Sequence, residues 1–365
     1  MRYVALFAVM LLGSPAVAAD GPARYLNKPD DWFASDEGKR VAANVLAHQS
    51  DLGGWPKNTD TTLPFTGDRK TIQPTFDNGA TTDELRFLAR AYGATKDETY
   101  RTAFDKGLTY VLKAQYPNGG WPQYHPPPTS YHRHVTFNDD AMVRLMVFLR
   151  EVATLDRYRF VGDARRADAR AAFDRGVGCI LKCQIVVDGK PTAWCAQHDE
   201  KDFSPRPGRT FELVSLSGAE SVGVTRLLMS LENPTPEVVR AVEGAVAWFG
   251  AAKLSGIRVE TVPDANSPTG KNRVVVKDPK APALWARFYE IGTNRPIFAD
   301  RDAVKKYDLA DIGYERRNGY AWYGSWPQKL LDVEYPAWRK RLAEKPALAS
   351  SGRLAPRSPT PDQLK

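Results

Sequence analysis

The chain has 365 residues, 42% hydrophobic and 26% charged, with 27 Gly, 27 Pro and 3 Cys. This composition excludes a small disulfide scaffold, a collagen-like repeat and a disordered polyelectrolyte, and it leaves one large or two medium domains with a substantial core. Lys and Arg number 51 against 43 Asp and Glu, a formal net charge of +8, which points to an anionic partner: nucleic acid, acidic lipid or acidic polysaccharide.

Residues 1–19 read MRYVALFAVMLLGSPAVAA, with one early Arg, an apolar stretch from Val4 to Leu12 and small residues ending in Ala16-Val17-Ala18. This is the pattern of a secretory signal peptide, and its apolar run is well short of the ~20 residues a membrane span needs. The expectation is therefore a secreted or periplasmic protein with one domain over residues 20–345. A disordered tail is expected over 346–365, where Ser350-Ser351-Gly352 and four prolines gather.

Helical periodicity begins with Val41, Val45 and Leu46 and runs into the loop Gln49-Ser-Asp-Leu-Gly-Gly-Trp-Pro-Lys57. A Thr-Phe pair at Thr75-Phe76 follows, then Asp77-Asn78, then a second helix with Leu85, Leu88, Ala89 and Tyr92 on one face and Thr81 and Glu84 at capping-box spacing. The same order then recurs. Phe104, Leu108, Val111 and Leu112 lead into Gln115-Tyr-Pro-Asn-Gly-Gly-Trp-Pro-Gln123, followed by Thr136-Phe137, Asn138-Asp139-Asp140 and a helix with Met142, Leu145, Met146 and Leu149. A third, degenerate unit has Gly176-Val-Gly-Cys-Ile-Leu-Lys-Cys-Gln184 echoing Gly107-Leu-Thr-Tyr-Val-Leu-Lys-Ala-Gln115, with Trp194 near the Trp position and Val224, Leu227, Leu228 and Leu231 lining the partner helix. Val239, Val242, Val246 and Phe249 open a last hairpin. Beyond it the periodicity fades: 263–282 reads as a polar excursion, with a weak strand signal from Arg273 to Lys277.

Helical hairpins repeated at this period make a mainly α fold, an (α/α) toroid whose long loops open together on one end as a cleft. Cys179, Cys183 and Cys195 are too few to staple such a chain; they are buried hydrophobes, or one disulfide with a thiol left over. No zinc motif is present.

Asp77-Asn78 and Asn138-Asp139 start equivalent inner helices at the same mouth. Asp and Asn are common helix N-caps, but their convergence from two repeats also makes a set of hard oxygen ligands suited to calcium. Arg206 and Arg209 lie in the Pro/Gly loop before the third inner helix, and Arg287 and Arg301 follow the last hairpin; Arg suits bidentate carboxylate recognition, although scattered Arg is usually a solvated face. Trp55, Trp121, Tyr320, Trp322, Tyr323 and Trp326 sit in Gly- and Pro-rich loops, where aromatics stack on sugars or, more often, fill a core.

Leu52-Gly-Gly-Trp-Pro-Lys-Asn58, Thr75-Phe-Asp-Asn-Gly-Ala-Thr-Thr-Asp-Glu-Leu85, Tyr116-Pro-Asn-Gly-Gly-Trp-Pro-Gln123, Thr136-Phe-Asn-Asp-Asp-Ala-Met142, Trp194-Cys-Ala-Gln-His-Asp199 and Gly319-Tyr-Ala-Trp-Tyr-Gly-Ser-Trp-Pro327 resemble the pectate lyases of polysaccharide lyase family 10, in order from about Trp32 to Trp338. The resemblance implies an (α/α) toroid that cleaves polygalacturonate by calcium-dependent β-elimination; a monomer is expected. It assigns Arg209 as catalytic base, with Arg206 the next candidate. It places Asp77 and Asp139 at the calcium centre, and Arg287, Arg301, Lys57, Asn78 and Tyr320 on substrate. Val214 and Ala303 stand where the family pattern leads one to expect Pro and Gly.

An Arg base carries its own conditions. Its guanidinium has to reach the acidic cluster without a bidentate carboxylate partner, because such a partner would hold it protonated. Two other classes compete: a toroid glycoside hydrolase using Asp77 and Asp139 as acid and base, and a non-catalytic uronan-binding protein. Nucleic acid would explain the charge but neither the leader nor the acidic cluster.

Overall fold

The computed structural model describes residues 21–344; the expected signal peptide and tail lie outside them. Ten α-helices follow one another: α1 (Asp30–Ala34), α2 (Asp36–Ala47), α3 (Thr82–Thr95), α4 (Glu98–Lys113), α5 (Ala141–Thr154), α6 (Asp163–Cys183), α7 (Glu220–Met229), α8 (Pro236–Ala251), α9 (Tyr314–Gly319) and α10 (Tyr335–Glu344). No helix among the described residues is long and apolar enough to cross a membrane.

Three hairpins form the frame: α3 packs on α4, α5 on α6 and α7 on α8. An inner row joins α3 to α5 and α5 to α7, and an outer row joins α4 to α6 and α6 to α8, the expected toroidal arrangement. Apart from α6, which starts at Gly162 without a side-chain cap, the outer helices start differently from the inner ones. Outer helices α2, α4 and α8 carry side-chain caps at Ser35, Asp97 and Thr235, which accept the N–H groups of Gly38, Thr99 and Val238. The inner helices α3 and α5 have no side-chain cap; short 3-10 turns over Asp77–Gly79 and Asn138–Asp140 precede them.

The recurring Trp and Gln hold the units together. Each of Trp55, Trp121, Trp194 and Trp285 donates its indole N–H to a last-turn carbonyl of the preceding outer helix: Val45, Val111, Ile180 and Phe249, at 2.7–2.9 Å. Those carbonyls have no partner inside the helix, so the loop indole completes them. Gln49, Gln115 and Gln184 each donate twice, to a carbonyl of their own loop and to one in the next outer helix, Ala103, Ala172 and Ala241 respectively. Gly107 and Gly176 admit the rings: a Cβ on either would stand 3.1 Å from the Cζ3 of Trp55 or Trp121. Trp55, Trp121 and Trp194 are fully buried, so they are core and not sugar platforms.

Two expectations are corrected here, and one open alternative is decided. Thr81 and Glu84 do not form a capping box: Thr81 has φ 72 and uses its hydroxyl on Thr75 O and the Trp55 N–H, while Glu84 accepts from Thr61. The expected polar excursion over 263–282 is half of an antiparallel hairpin of two seven-residue strands, Ile257–Pro263 and Lys271–Lys277, in register from Ile257↔Lys277 to Pro263↔Lys271; the second strand covers the strand signal at Arg273 to Lys277. All three cysteines are free and buried, and burial pushes the Cys183 and Cys195 thiols up.

A second, smaller core beside the main one joins Phe211, Phe288, Ile297, Phe298, Leu309, Ile312, Tyr320 and Trp322. It seats the Arg209 loop. Ala303, where Gly was expected, has φ 59, a conformation glycine takes without strain.

Candidate active site

In the first repeat, Trp55 N–H bonds to Thr81 Oγ1 and Thr75 N–H to Trp55 O, which lays the Pro56-Lys57 segment over the start of α3. Lys57 Nζ then lies 2.6 Å from Asp77 Oδ2, and Gln123 Nε2, from the second Trp loop, donates to the same oxygen at 2.7 Å. Asp77 Oδ1 is buried and has no hydrogen-bond partner. Burial works against the Lys57 charge, but the Asp77 bond and charge outweigh it and raise its pKa.

The second repeat reproduces this with the residue types exchanged. Asn138 occupies the place of Asp77, and its Oδ1 is likewise buried without a partner. Asp139 occupies the place of Asn78, and both are left-handed, at φ 50 and φ 54. Asp139 Oδ2 accepts from Asn138 Nδ2 at 2.7 Å and Oδ1 from Arg287 Nη2 at 3.1 Å. The carboxylate hydrogen bonds of Asp77 and Asp139 thus go to side chains of the cleft and not to helix N–H groups, so the N-cap alternative falls. Asn78 is exposed beside Lys57 and Asn58 in a small cavity.

The third repeat supplies Glu220, in the first turn of α7, which sequence reasoning missed. It is buried and pairs with Arg287. Ser217 Oγ donates to the Glu220 carboxylate and accepts its N–H, so the Ser-x-x-Glu spacing before an apolar run was the available signal. Arg287 is enclosed, its side chain 11% exposed. Burial opposes its charge, yet Glu220, Tyr320 and Asp139 raise its pKa.

Arg209 comes to the same mouth from the smaller core. The loop closes through Gly208 N–H to Glu212 O and Glu212 N–H to Arg209 O. Glu212 Oε2 accepts the Arg209 backbone N–H at 2.9 Å, and Oε1 takes both Arg209 Nη2 and the Tyr320 hydroxyl. Only one guanidinium nitrogen is engaged. Glu212 is nevertheless a carboxylate partner of Arg209: burial opposes the arginine's charge, but the Glu212 bond and charge outweigh that and raise its pKa. Burial raises the Glu212 pKa and the Arg209 bond lowers it, with a net lowering.

Tyr320 is 8% exposed, with Arg209 5.5 Å and Arg287 4.8 Å from its ring centre. It separates and positions the two arginines. Arg301 stands at the rim, 64% exposed and paired with Glu315, with its guanidinium 6.0 Å from the Phe211 ring. Arg206 belongs elsewhere. It pairs with Asp199 at 2.8 Å, in a network where Glu200 holds Arg133 and His134. His134, Asp199 and Glu200 have ligand atoms within 4.8 Å of one another, but their carboxylates are already engaged by these cations and by the N–H groups of Lys201 and Asp202.

His132 was also missed. Burial, and then the Lys57 charge, lower its pKa, and it senses Asp77, Arg209 and Glu212 as well. Its ring stacks on Tyr131 at 3.9 Å and meets Tyr124 edge-on at 5.1 Å. It therefore links the Lys57–Asp77 and Arg209–Glu212 pairs into one cleft.

Residues 49–331 match the family model described as pectic acid lyase. Among solved structures, the chain is similar to a family 10 polysaccharide lyase from Cellvibrio cellulosa, at 33% identity and a TM-score of 0.74, over 88% of this chain and 97% of that one. An aspartate-to-alanine mutant of the Cellvibrio cellulosa enzyme, in complex with trigalacturonic acid, matches at 33% identity and a TM-score of 0.73, over 87% and 97% of the two chains. No curated protein matches.

Proposed function

This chain belongs to the pectate lyases of polysaccharide lyase family 10, and from that premise we propose that it cleaves α-1,4-linked polygalacturonate by calcium-dependent β-elimination with Arg209 as base. One observation carries the metal: Asp77 Oδ1 and Asn138 Oδ1, buried at equivalent positions of two repeats, both lack a partner. A buried oxygen without a donor is costly, and carboxylate and amide oxygens are the donors calcium takes. Asp77 and Asn138 would hold the ion, with Asp139 beside them. When bound, it would neutralise a uronate carboxylate and so acidify the adjacent C5–H.

The chain's own cations complete that task. Arg287 and Lys57 face the place where negative charge grows as C5 loses its proton, already oriented by Glu220, Asp139 and Asp77. The Arg209 guanidine takes the C5 proton, the C5–H pair forms the C4–C5 double bond, and the C4–O bond breaks, with the leaving oxygen protonated from solvent. Because Glu212 holds Arg209 as its conjugate acid, turnover belongs to alkaline pH. A second reading of the base rests on His132, whose lowered pKa leaves its ring neutral in the same cleft. The N-terminal pattern and a polymeric substrate support a secreted or periplasmic protein.

The test uses purified protein, polygalacturonate, and calcium against chelator, followed by ultraviolet absorbance of the unsaturated uronide. A lyase gives that chromophore and loses it with chelator, whereas a hydrolase gives saturated ends. Arg209→Ala should lower kcat at least about a thousandfold with KM little changed, and His132→Ala less than about tenfold. The reverse order would move the base to His132.

A further inference from the structure

A short 3-10 turn, Pro22–Tyr25, packs on α3. Arg24 ties it to the loop after Trp55, through Asp60 at 2.7 Å and Thr62 Oγ1, and Arg90 of α3 holds its end at Leu26 O. Gly21 and Pro22 are buried. Between this turn, the Pro56–Thr59 segment and the start of α3 lies a cavity of about 40 Å3, lined by Gly21, Lys57, Asn78, Asp83 and Glu84 among others.

Glu84 is the unexplained group there. It is 3% exposed; Oε1 accepts from Thr61 Oγ1 at 2.9 Å, and Oε2 has no partner. Burial pushes its pKa up to about 8 and the Asp83 charge adds to this, while Thr61 and the N–H groups of Glu84 and Thr81 offset it only in part. The other charged groups around the cavity are engaged: Lys57 by Asp77, and Asp83 by Arg86, with the Arg144 charge also acting on it. A water would bond Oε2 but leave a buried carboxylate without a counter-charge. Calcium would need several waters besides two carboxylates and one amide, and the space for them is lacking.

The chain itself carries a fitting cation. Asp20 lies outside the described residues, but once the expected leader over 1–19 is removed its α-ammonium stands one peptide unit, about 5 Å at most, from Gly21 Cα. We propose that removal of the leader seats the α-ammonium of Asp20 in this cavity as the ion-pair partner of Glu84, so that processing completes the support beneath Lys57 and Asn78. The inference rests on the secretory reading above.

N-terminal sequencing of the secreted protein should give a start at Asp20. The α-amine is then titrated through pH-dependent acetylation, followed by mass spectrometry of the N-terminal peptide, in the wild type and in Glu84→Gln, which keeps the volume and the Thr61 contact but loses the charge. An ordinary α-amine titrates at about 7.7–8.0; paired with Glu84 it should titrate at least about one pH unit higher, and Glu84→Gln should abolish that shift. Because the folded-state value is raised, the stabilisation is present in full below about pH 8 and is lost as pH rises through the folded-state value. A chain with Gly-Ser placed before Asp20 should therefore melt about 2 °C or more below the mature chain at pH 7, and together with it at high pH. An ordinary α-amine pKa in the wild type, the same value in Glu84→Gln, equal melting of mature and extended chains at pH 7, or a start at another residue would overturn the pair. A secreted chain that retains residues 1–19 would instead bring down the leader reading, and this inference with it.

Discussion

Glu212 sets the terms on which Arg209 can act. Its carboxylate lies below the usual range because Arg209 and Tyr320 bond to it, and it raises the Arg209 pKa in return. Glu212→Gln removes the charge, so the Arg209 pKa falls and the deprotonated fraction at a given alkaline pH grows. The alkaline rise of kcat should therefore move down by about one pH unit or more, as read from kcat–pH profiles. A profile displaced in neither direction would detach the base from this pair. The equivalence of Asp77 with Asn138 belongs to the same scale: the repeat placed both at the mouth, but only the structure revealed that each keeps one buried oxygen unpaired.

At the scale of elements, the hairpins are tied by side chains that the loop motifs had already displayed. Gln115 Nε2 joins its own loop at Gly119 O to α6 at Ala172 O, 2.9 and 2.8 Å away. Gln115→Ala leaves both carbonyls without that donor and should cost about 2–4 kcal/mol in urea unfolding, with the m-value unchanged. The strand pair shows the opposite case. Val274, Val275 and Val276 are too short an apolar run to tell strand from buried helix, and the partner Ile257–Pro263, across a turn, decides it. The failed capping box at Thr81 has a similar cause: its hydroxyl serves the Trp55 loop, a contact 26 residues away.

Over the whole molecule the formal charge is +8, while the mouth cations Lys57, Arg209, Arg287 and Arg301 are each paired with carboxylates, so a polyanion is attracted by the long-range field of the whole protein before it meets the site. Screening shortens that field from about 10 Å at 0.1 M salt to about 3 Å at 1 M. KM for polygalacturonate should therefore rise about tenfold across that range while kcat changes less than about twofold, which initial rates would read out.

The sequence by itself determined the helical hairpins, their repeat, the common side of the loops and the family, because periodicity and loop motifs are written within a few tens of residues. It also brought Lys57, Asp77, Asp139, Arg209, Arg287 and Tyr320 forward as residue types, though not their partners. Only the tertiary structure decided which charges meet. Arg287 reaches Asp139 across 148 residues and Tyr320 reaches Glu212 across 108, while Arg206, three residues from Arg209, turns to Asp199. Ion pairs form between groups that the packing of the hairpins brings within a few ångströms, and that distance has no counterpart along the chain.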